Sequence, residues 1–315
     1  MSSQASHPKP SVLGTKAAPT SSFIRKLLKY RYYYALLLPG LIYFIVFKYI
    51  PMGGVIIAFK DYKLTQGVIG SPWVGLKWFR ILWSTGDFWN ALYNTLLISF
   101  YKLIFGFPAP IALAILLNEV IHRRFKRIIQ SILYFPHFLS WIVLGGILFA
   151  ILSPGTGLIS WLGFSSSPLM QPESFRSLLV VSHIWKEVGW GTVIYLAAIA
   201  GINPEMYEAA RMDGANRFRL ISHVTLPAIS GTIVIMLILR TGQILSAGFD
   251  QVFILSNDVV LHVADILDTY VYRVGLSLGR FSIATAAGLF QSLAGLLLLL
   301  FTNWLARRFS DQGLW

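Results

Sequence analysis

The chain has 315 residues, 56% of them hydrophobic and only 12% charged, with a mean hydropathy of +0.65. A water-soluble domain cannot hide that much apolar surface, so a bilayer must be the solvent for most of it. The net charge of +13 does not point to nucleic acid, because the basic residues gather at the ends of apolar runs; the lack of cysteine excludes disulfides, thiolate metal sites and cysteine nucleophiles.

Residues 1–22 are rich in Ser, Pro, Ala and Thr without apolar periodicity and are expected to be disordered. With the basic cluster Arg25, Lys26, Lys29 and Arg31 they form a cytoplasmic tail over 1–32. The apolar run beginning near Tyr33 is too long for a signal peptide and has no small-residue cleavage site, so it is expected to be retained as a span. Residues 33–315 then read as one transmembrane domain. A span needs roughly 20 apolar residues. Six stretches qualify, at about 33–57, 91–117, 128–152, 178–201, 226–248 and 283–305. The expected fold is an all-α membrane protein of six transmembrane helices. With the N-terminus inside, cytoplasmic segments carry 15 Lys and Arg against 7 outside, which places both N- and C-termini in the cytoplasm.

Pro108 and Pro110 should kink the second span and Pro136 the third. Residues 59–90 carry Trp73, Trp78, Trp83, Trp89 and Phe88, rings suited to the membrane–water interface. Residues 249–282, with Asp250, Gln251, Asp265 and Asp268, read as a partly helical outer cap whose carboxylates are solvated. In the sixth span Ala284, Gly288 and Ser292 form a small-residue stripe, either an internal seam or a subunit seam.

No enzyme constellation emerges. There is no Gly-x-x-x-x-Gly-Lys-Ser/Thr loop, and the six histidines show no metal-ligand spacing, so no metal site and no cofactor bound by this chain are expected. The ions inside the spans are more telling, because an unpaired charge in hydrocarbon is costly. Lys186 and Glu187 are adjacent in the fourth span and cannot share a partner; Arg240 is a plausible partner for Glu187, and Lys102 must point into a bundle or cavity. These ions either fix helix packing or line a polar path. Trp185, Trp190 and Tyr195 accompany them, and with Lys186, Glu187 and Gln243 they are the candidates for a substrate path; aromatic faces beside polar groups suit sugar rings, although they can equally pack.

The longest polar interruption in the second half runs from Asn203 to Pro227. Asn203 suits an N-cap, Pro204 the first helical position, Glu205 and Glu208 the positive end of the helix dipole, and Gly214 a stop. A second helix can start at Asn216 and run until Pro227 opens the next span. Something should dock on this water-facing hairpin.

Within it, Glu208-Ala209-Ala210, three residues, Gly214, nine residues and Val224-Thr225-Leu226-Pro227 resemble the EAA signature of permease subunits of binding-protein-dependent ABC importers, with Val224 where Ile is usual. Tyr49-Ile50-Pro51-Met52, Tyr134-Phe135-Pro136-His137-Phe138, Gly248-Phe249-Asp250-Gln251-Val252-Phe253, Asp268-Thr269-Tyr270-Val271-Tyr272, Leu305-Ala306-Arg307-Arg308 and Gly313-Leu314-Trp315 are similar to the oligosaccharide and polysaccharide branch of the carbohydrate-uptake class. The resemblance implies the type I ABC importer permease (MetI-like) fold in a bacterial plasma membrane. It implies that Glu205, Glu208, Ala209, Ala210, Asp213, Gly214 and Pro227 belong to a coupling loop, 203–227, seated on a cytoplasmic ATPase. ATP and Mg would be used by that partner, and this chain would not itself be an enzyme. A second homologous permease forming a heterodimer, two ATPase subunits, an extracytoplasmic solute-binding protein and an oligosaccharide substrate complete the expected assembly. Two other classes stay open from the residues alone. One is a secondary transporter or channel with Lys186, Glu187 and Arg240 as an ion relay; the other is a membrane enzyme acting on glycans, which lacks a catalytic constellation.

Overall fold

A computed structural model describes residues 29–163 and 166–309. The expected disordered segment 1–22 and the Gly313-Leu314-Trp315 match lie outside the described residues. The chain divides into two compact units, Met1–Gly54 and Val55–Trp315. In the first, helix Arg31–Phe44, a π turn at Ile45–Tyr49 and Ile50–Met52 follow one another with no buried residue.

The second unit is helical, with one isolated antiparallel bridge, Lys60 to Trp73, among the described residues. Among the described residues three helical runs are long and apolar enough to cross a membrane: α1 (Arg31–Phe59), α3 (Gly86–Asn118), which follows the short α2 (Lys77–Ser84), and α12 (Phe281–Phe309). Two bent pairs raise the number to five if each is one span: α4 (Arg123–Phe138) with α5 (Trp141–Leu152), and α8 (Arg217–Ala228) with α9 (Ser230–Gly242). Between them lie α6 (Pro172–Ala200) and α7 (Pro204–Met212). At 29 residues α6 has the length of a span, but Glu173, Arg176, Lys186 and Glu187 make it less apolar than the three. The short helices α10 (Phe249–Leu255) and α11 (Leu267–Tyr272) precede α12.

Several of the places where these helices widen or break lie beside a proline. Its ring collides with the carbonyl four residues back and it donates no hydrogen bond. Four residues before Pro51, Pro108 and Pro227 stand Phe47, Ile104 and His223, and each lies inside a π turn: Ile45–Tyr49, Lys102–Gly106 and Ile221–Thr225. The wider turn moves the obstructed carbonyl aside while the helix continues. The expected kink in the second span is therefore a widened turn within α3. Pro227 likewise does not open the fifth span. The helix runs through it and breaks at Ile229, where α8 and α9 meet at 61°. The third expected span, 128–152, is two helices. Pro136 falls in a 3-10 segment, Phe135–Phe138, and the chain turns by 104° into α5.

The 249–282 segment also differs from a solvated cap. Gln251 is 1% exposed and Asp265 4%. Asp265 is paired with Arg273 and accepts a hydrogen bond from Thr269 at 2.8 Å, and half-buried Asp268 accepts one from Gln291 of α12 at 2.8 Å. Asn94 of α3 donates to the Asp265 carbonyl at 3.1 Å and accepts from Arg176 of α6 at 2.7 Å. Polar groups removed from water must find partners, and these bonds sew the segment onto α3, α6 and α12. Around them Leu82, Phe88, Tyr270 and Ala284 form one apolar cluster and Ile98, Phe175, Leu179 and Val252 another. Phe88 is thus core, whereas Trp73, Trp83 and Trp89 stay exposed as expected. The small-residue stripe is an internal seam at Ala284, whose Cβ would meet a Cβ at Gly275 at 2.9 Å, and is open at Gly288.

Candidate functional site

The hairpin folds as its residue types require. Asn203 Oδ1 accepts the Glu205 N–H at 3.1 Å, capping α7. At the other end Gly214 adopts φ +76°, its N–H donating to the Arg211 carbonyl and the Ala215 N–H to the Ala210 carbonyl, both at 3.0 Å. That pair of bonds is a Schellman closure, and the positive φ is why glycine stands there. Asn216 Oδ1 then caps α8 by accepting from the Arg219 N–H at 2.9 Å. No residue of α7 is buried, and Glu205, Glu208, Ala209, Asp213, Gly214 and Pro227 are exposed while Ala210 is half-buried. Tyr207 hydrogen-bonds Thr225 at 3.0 Å, tying α7 to the π turn of α8. Arg217 reaches Glu119 at 3.7 Å, which puts the 119–122 connection at the same end as the hairpin.

Among the described residues Lys102 and Lys186 make no salt bridge; each closes a helix break. The 104° turn leaves carbonyls at the C-terminus of α4 without intrahelical partners, and Lys186 Nζ donates to those of His137 at 2.7 Å, Leu139 at 2.6 Å and Pro136 at 3.4 Å. Its ammonium also sits at the negative end of the α4 dipole. Ser140 starts α5 by accepting from Val143 N–H at 3.3 Å. Lys102 does the same service between α9 and α10, donating to the Ala247 carbonyl at 2.6 Å and Gln251 Oε1 at 2.5 Å. Gln251 in turn donates to the Leu179 carbonyl at 2.7 Å and Ser182 Oγ at 2.8 Å on α6.

Between α3, α6 and α9 lies a cavity of about 130 Å³. Its polar lining comprises Ser99 and Lys102 from α3, His183, Glu187 and Tyr195 from α6, and Arg240 and Gln243 from the end of α9. The structure therefore brings Glu187, Tyr195 and Gln243 together and leaves Lys186, Trp185 and Trp190 out. Lys186 is 8% exposed and turned to the α4 carbonyls. Trp190 stacks on His137, rings 4.8 Å apart and within 2° of parallel, and Trp185 is 42% exposed. Glu187 pairs with His137 at 3.0 Å rather than with Arg240. The expected Glu187–Arg240 pair is absent among the described residues, and with Lys186 directed elsewhere the three ions do not form a contiguous relay. His183, Ser99, Lys102 and Arg240 were outside the candidate set. A signal for His183 was present: His183, Glu187, Gly191 and Tyr195 recur every four residues, which is one face of a helix, and all four line the cavity.

Residues 106–311 match the family described as binding-protein-dependent transport system inner membrane component. Protein LplB of Bacillus subtilis (strain 168) is 46% identical over 298 residues, covering 93% of this chain and 94% of that protein. The polygalacturonan/rhamnogalacturonan transport system permease protein YteP of the same organism is 46% identical over 295 residues, 92% of each chain. Among solved structures, a bacterial ABC transporter involved in the import of the acidic polysaccharide alginate contains a chain that superposes with a TM-score of 0.85 at 40% identity, covering 92% of this chain and 99% of that one. The secondary-transporter and enzyme readings gain nothing from these relatives. The EAA spacing, the helical bundle with its capped hairpin and these matches agree, and the chain belongs to the family of inner membrane permease components of binding-protein-dependent transport systems.

Proposed function

We propose that this chain is one transmembrane subunit of an ATP-driven importer that carries an acidic oligosaccharide into the cytoplasm, with six spans, α6 among them, and both termini cytoplasmic. The observation that carries the reading is the hairpin 203–227: a helix capped at both ends, with no buried residue, on the longest strongly polar interruption between apolar runs in the second half of the chain. Apolar Met206, Met212 and Phe218 are exposed on it, beside Glu205 and Glu208. That mixture suits a helix laid into a groove of a partner, here one of two ATPase subunits that use ATP and Mg. A second permease and an extracytoplasmic binding protein complete the assembly, in keeping with the family. Closure of the ATPases would swing α7 and, through α8, tilt the bundle between inward-open and outward-open states. The acidic substrate class rests on the polygalacturonan and alginate named for the relatives.

The test is uptake of oligogalacturonate by proteoliposomes holding the complete importer. Wild type is expected to accumulate it only with ATP and binding protein. Glu208→Lys and Gly214→Pro are expected to cut uptake by an order of magnitude or more and to abolish substrate-stimulated ATP hydrolysis, since the first places a cation in the docking face and the second removes the φ +76° closure. Undiminished coupling in both variants would overturn the assignment of the hairpin.

A further inference from the structure

Of the cations buried in or lining the bundle around the cavity, Lys102, Lys186 and Arg240 have no anionic partner among the described residues, and they differ in what else they bond. Lys186 spends all three donors on carbonyls of the α4–α5 break. Glu187 is taken by His137 at 3.0 Å. Lys102 spends two donors on neutral acceptors and retains a third beside the cavity. Arg240 lines the same cavity with no hydrogen bond or ion pair among the described residues, so its five N–H donors are all available. Arg240 is itself exposed, so its fork is open to a ligand entering the cavity. Lys102 and Arg240 in one cavity outnumber the single carboxylate there, Glu187, which is already engaged.

We infer that Arg240 binds a carboxylate of the transported sugar, with Lys102 and Gln243 as further donors around it. The inference rests on the reading of the chain as an importer permease for an acidic oligosaccharide and assigns the recognising residue. Arginine is the fitting residue because its planar fork meets a carboxylate in two parallel hydrogen bonds, which a lysine cannot do. Gln243 is three residues on from Arg240, so both lie on one face at the end of α9. Tyr195 of α6 adds an aromatic ring to the lining of the same cavity. With about 130 Å³ against the roughly 300–1,000 Å³ of a ligand pocket, this is a subsite for one part of a longer saccharide.

The experiment compares trigalacturonate with its fully methyl-esterified form, which keeps the rings and loses the charges. Binding of each is titrated on the purified membrane assembly without the binding protein, for wild type, Arg240→Gln and Arg240→Lys. Wild type is expected to prefer the acid at least about tenfold. Arg240→Gln is expected to weaken the acid about 10- to 100-fold and to leave the ester within about twofold; Arg240→Lys, which keeps the charge without the fork, should fall between. A wild type with no preference for the acid, an Arg240→Gln assembly that binds the acid as wild type does, or equal losses for acid and ester would each overturn the assignment. So would dissociation of the Arg240→Gln assembly, which would make Arg240 a packing partner of another subunit. If the complete wild-type importer took up neither saccharide, the functional reading itself would fail; uptake with an indifferent Arg240→Gln would remove Arg240 alone.

Discussion

Replacing Lys186 by methionine is expected to destabilise the assembled protein by about 3–5 kcal/mol, seen as a markedly lower melting temperature in detergent and faster proteolysis at 135–140. Methionine keeps the length and apolar stem of lysine and removes only the three donors. Two of the bonds lost are short, 2.7 and 2.6 Å, and charge-assisted, a class worth about 1.5–3 kcal/mol each. Of the carbonyls left behind, that of Pro136 keeps the Leu139 N–H at 3.2 Å, while those of His137 and Leu139 lose the ammonium at a 104° turn. Arginine should rescue poorly, because a planar fork cannot converge on three carbonyls as an ammonium does. An unchanged melt for Lys186→Met would show that the break between α4 and α5 holds itself.

Gly189→Ala is expected to separate α6 from α4. A Cβ at Gly189 would overlap the Leu133 carbonyl oxygen and stand 3.0 Å from the Tyr134 nitrogen, so the obstacle is backbone and has no rotamer to yield. Overpacking of this kind costs about 1–3 kcal/mol and more where nothing can move. Because α6 also carries the wall of the cavity, saccharide binding should fall with stability. Gly146→Ala in α5 is the matched control. No atom lies within 4 Å of its Cβ position, and an alanine in a helix interior is favoured over glycine by about 0.8–1 kcal/mol. Equal melting temperatures for the two variants would refute the steric account.

The hairpin was legible in the sequence because its signals are local: Asn203, Gly214 and Asn216 each satisfy a backbone group within a few residues. The apolar runs were legible for the same reason, as was the placement of Lys102 in an interior. The breaks were not. Proline marks a place where a helix can be disturbed, but the sequence does not say how: the chain stays helical at Pro39, widens before Pro108 and turns after Pro136, where the remote Lys186 meets the carbonyls of the break. The partner of Glu187 was misjudged on similar grounds. Arg240 is a plausible partner by formal charge and position in the fifth span, whereas the segment at Pro136 brings His137 to that carboxylate at 3.0 Å. Asp265 and Asp268 were read as solvated because sequence gives hydrophilicity and not burial; Arg273 and Gln291 bring them into the protein.

The hairpin and the cavity lie at the two ends of the bent pair α8–α9. Capped by Asn216 in the hairpin, α8 meets α9 at Ile229, which is 1% exposed and packed with Ala114, Tyr195 and Ile199, and α9 carries Arg240 in its last turn with Gln243 as its C-cap at the cavity. Free energies of binding at two linked sites are reciprocal. Any partner whose docking on the hairpin alters saccharide affinity by a given factor must itself be held more or less tightly, by that same factor, once the cavity fills. A filled cavity is therefore a message that the hairpin can deliver without the saccharide ever leaving the bundle.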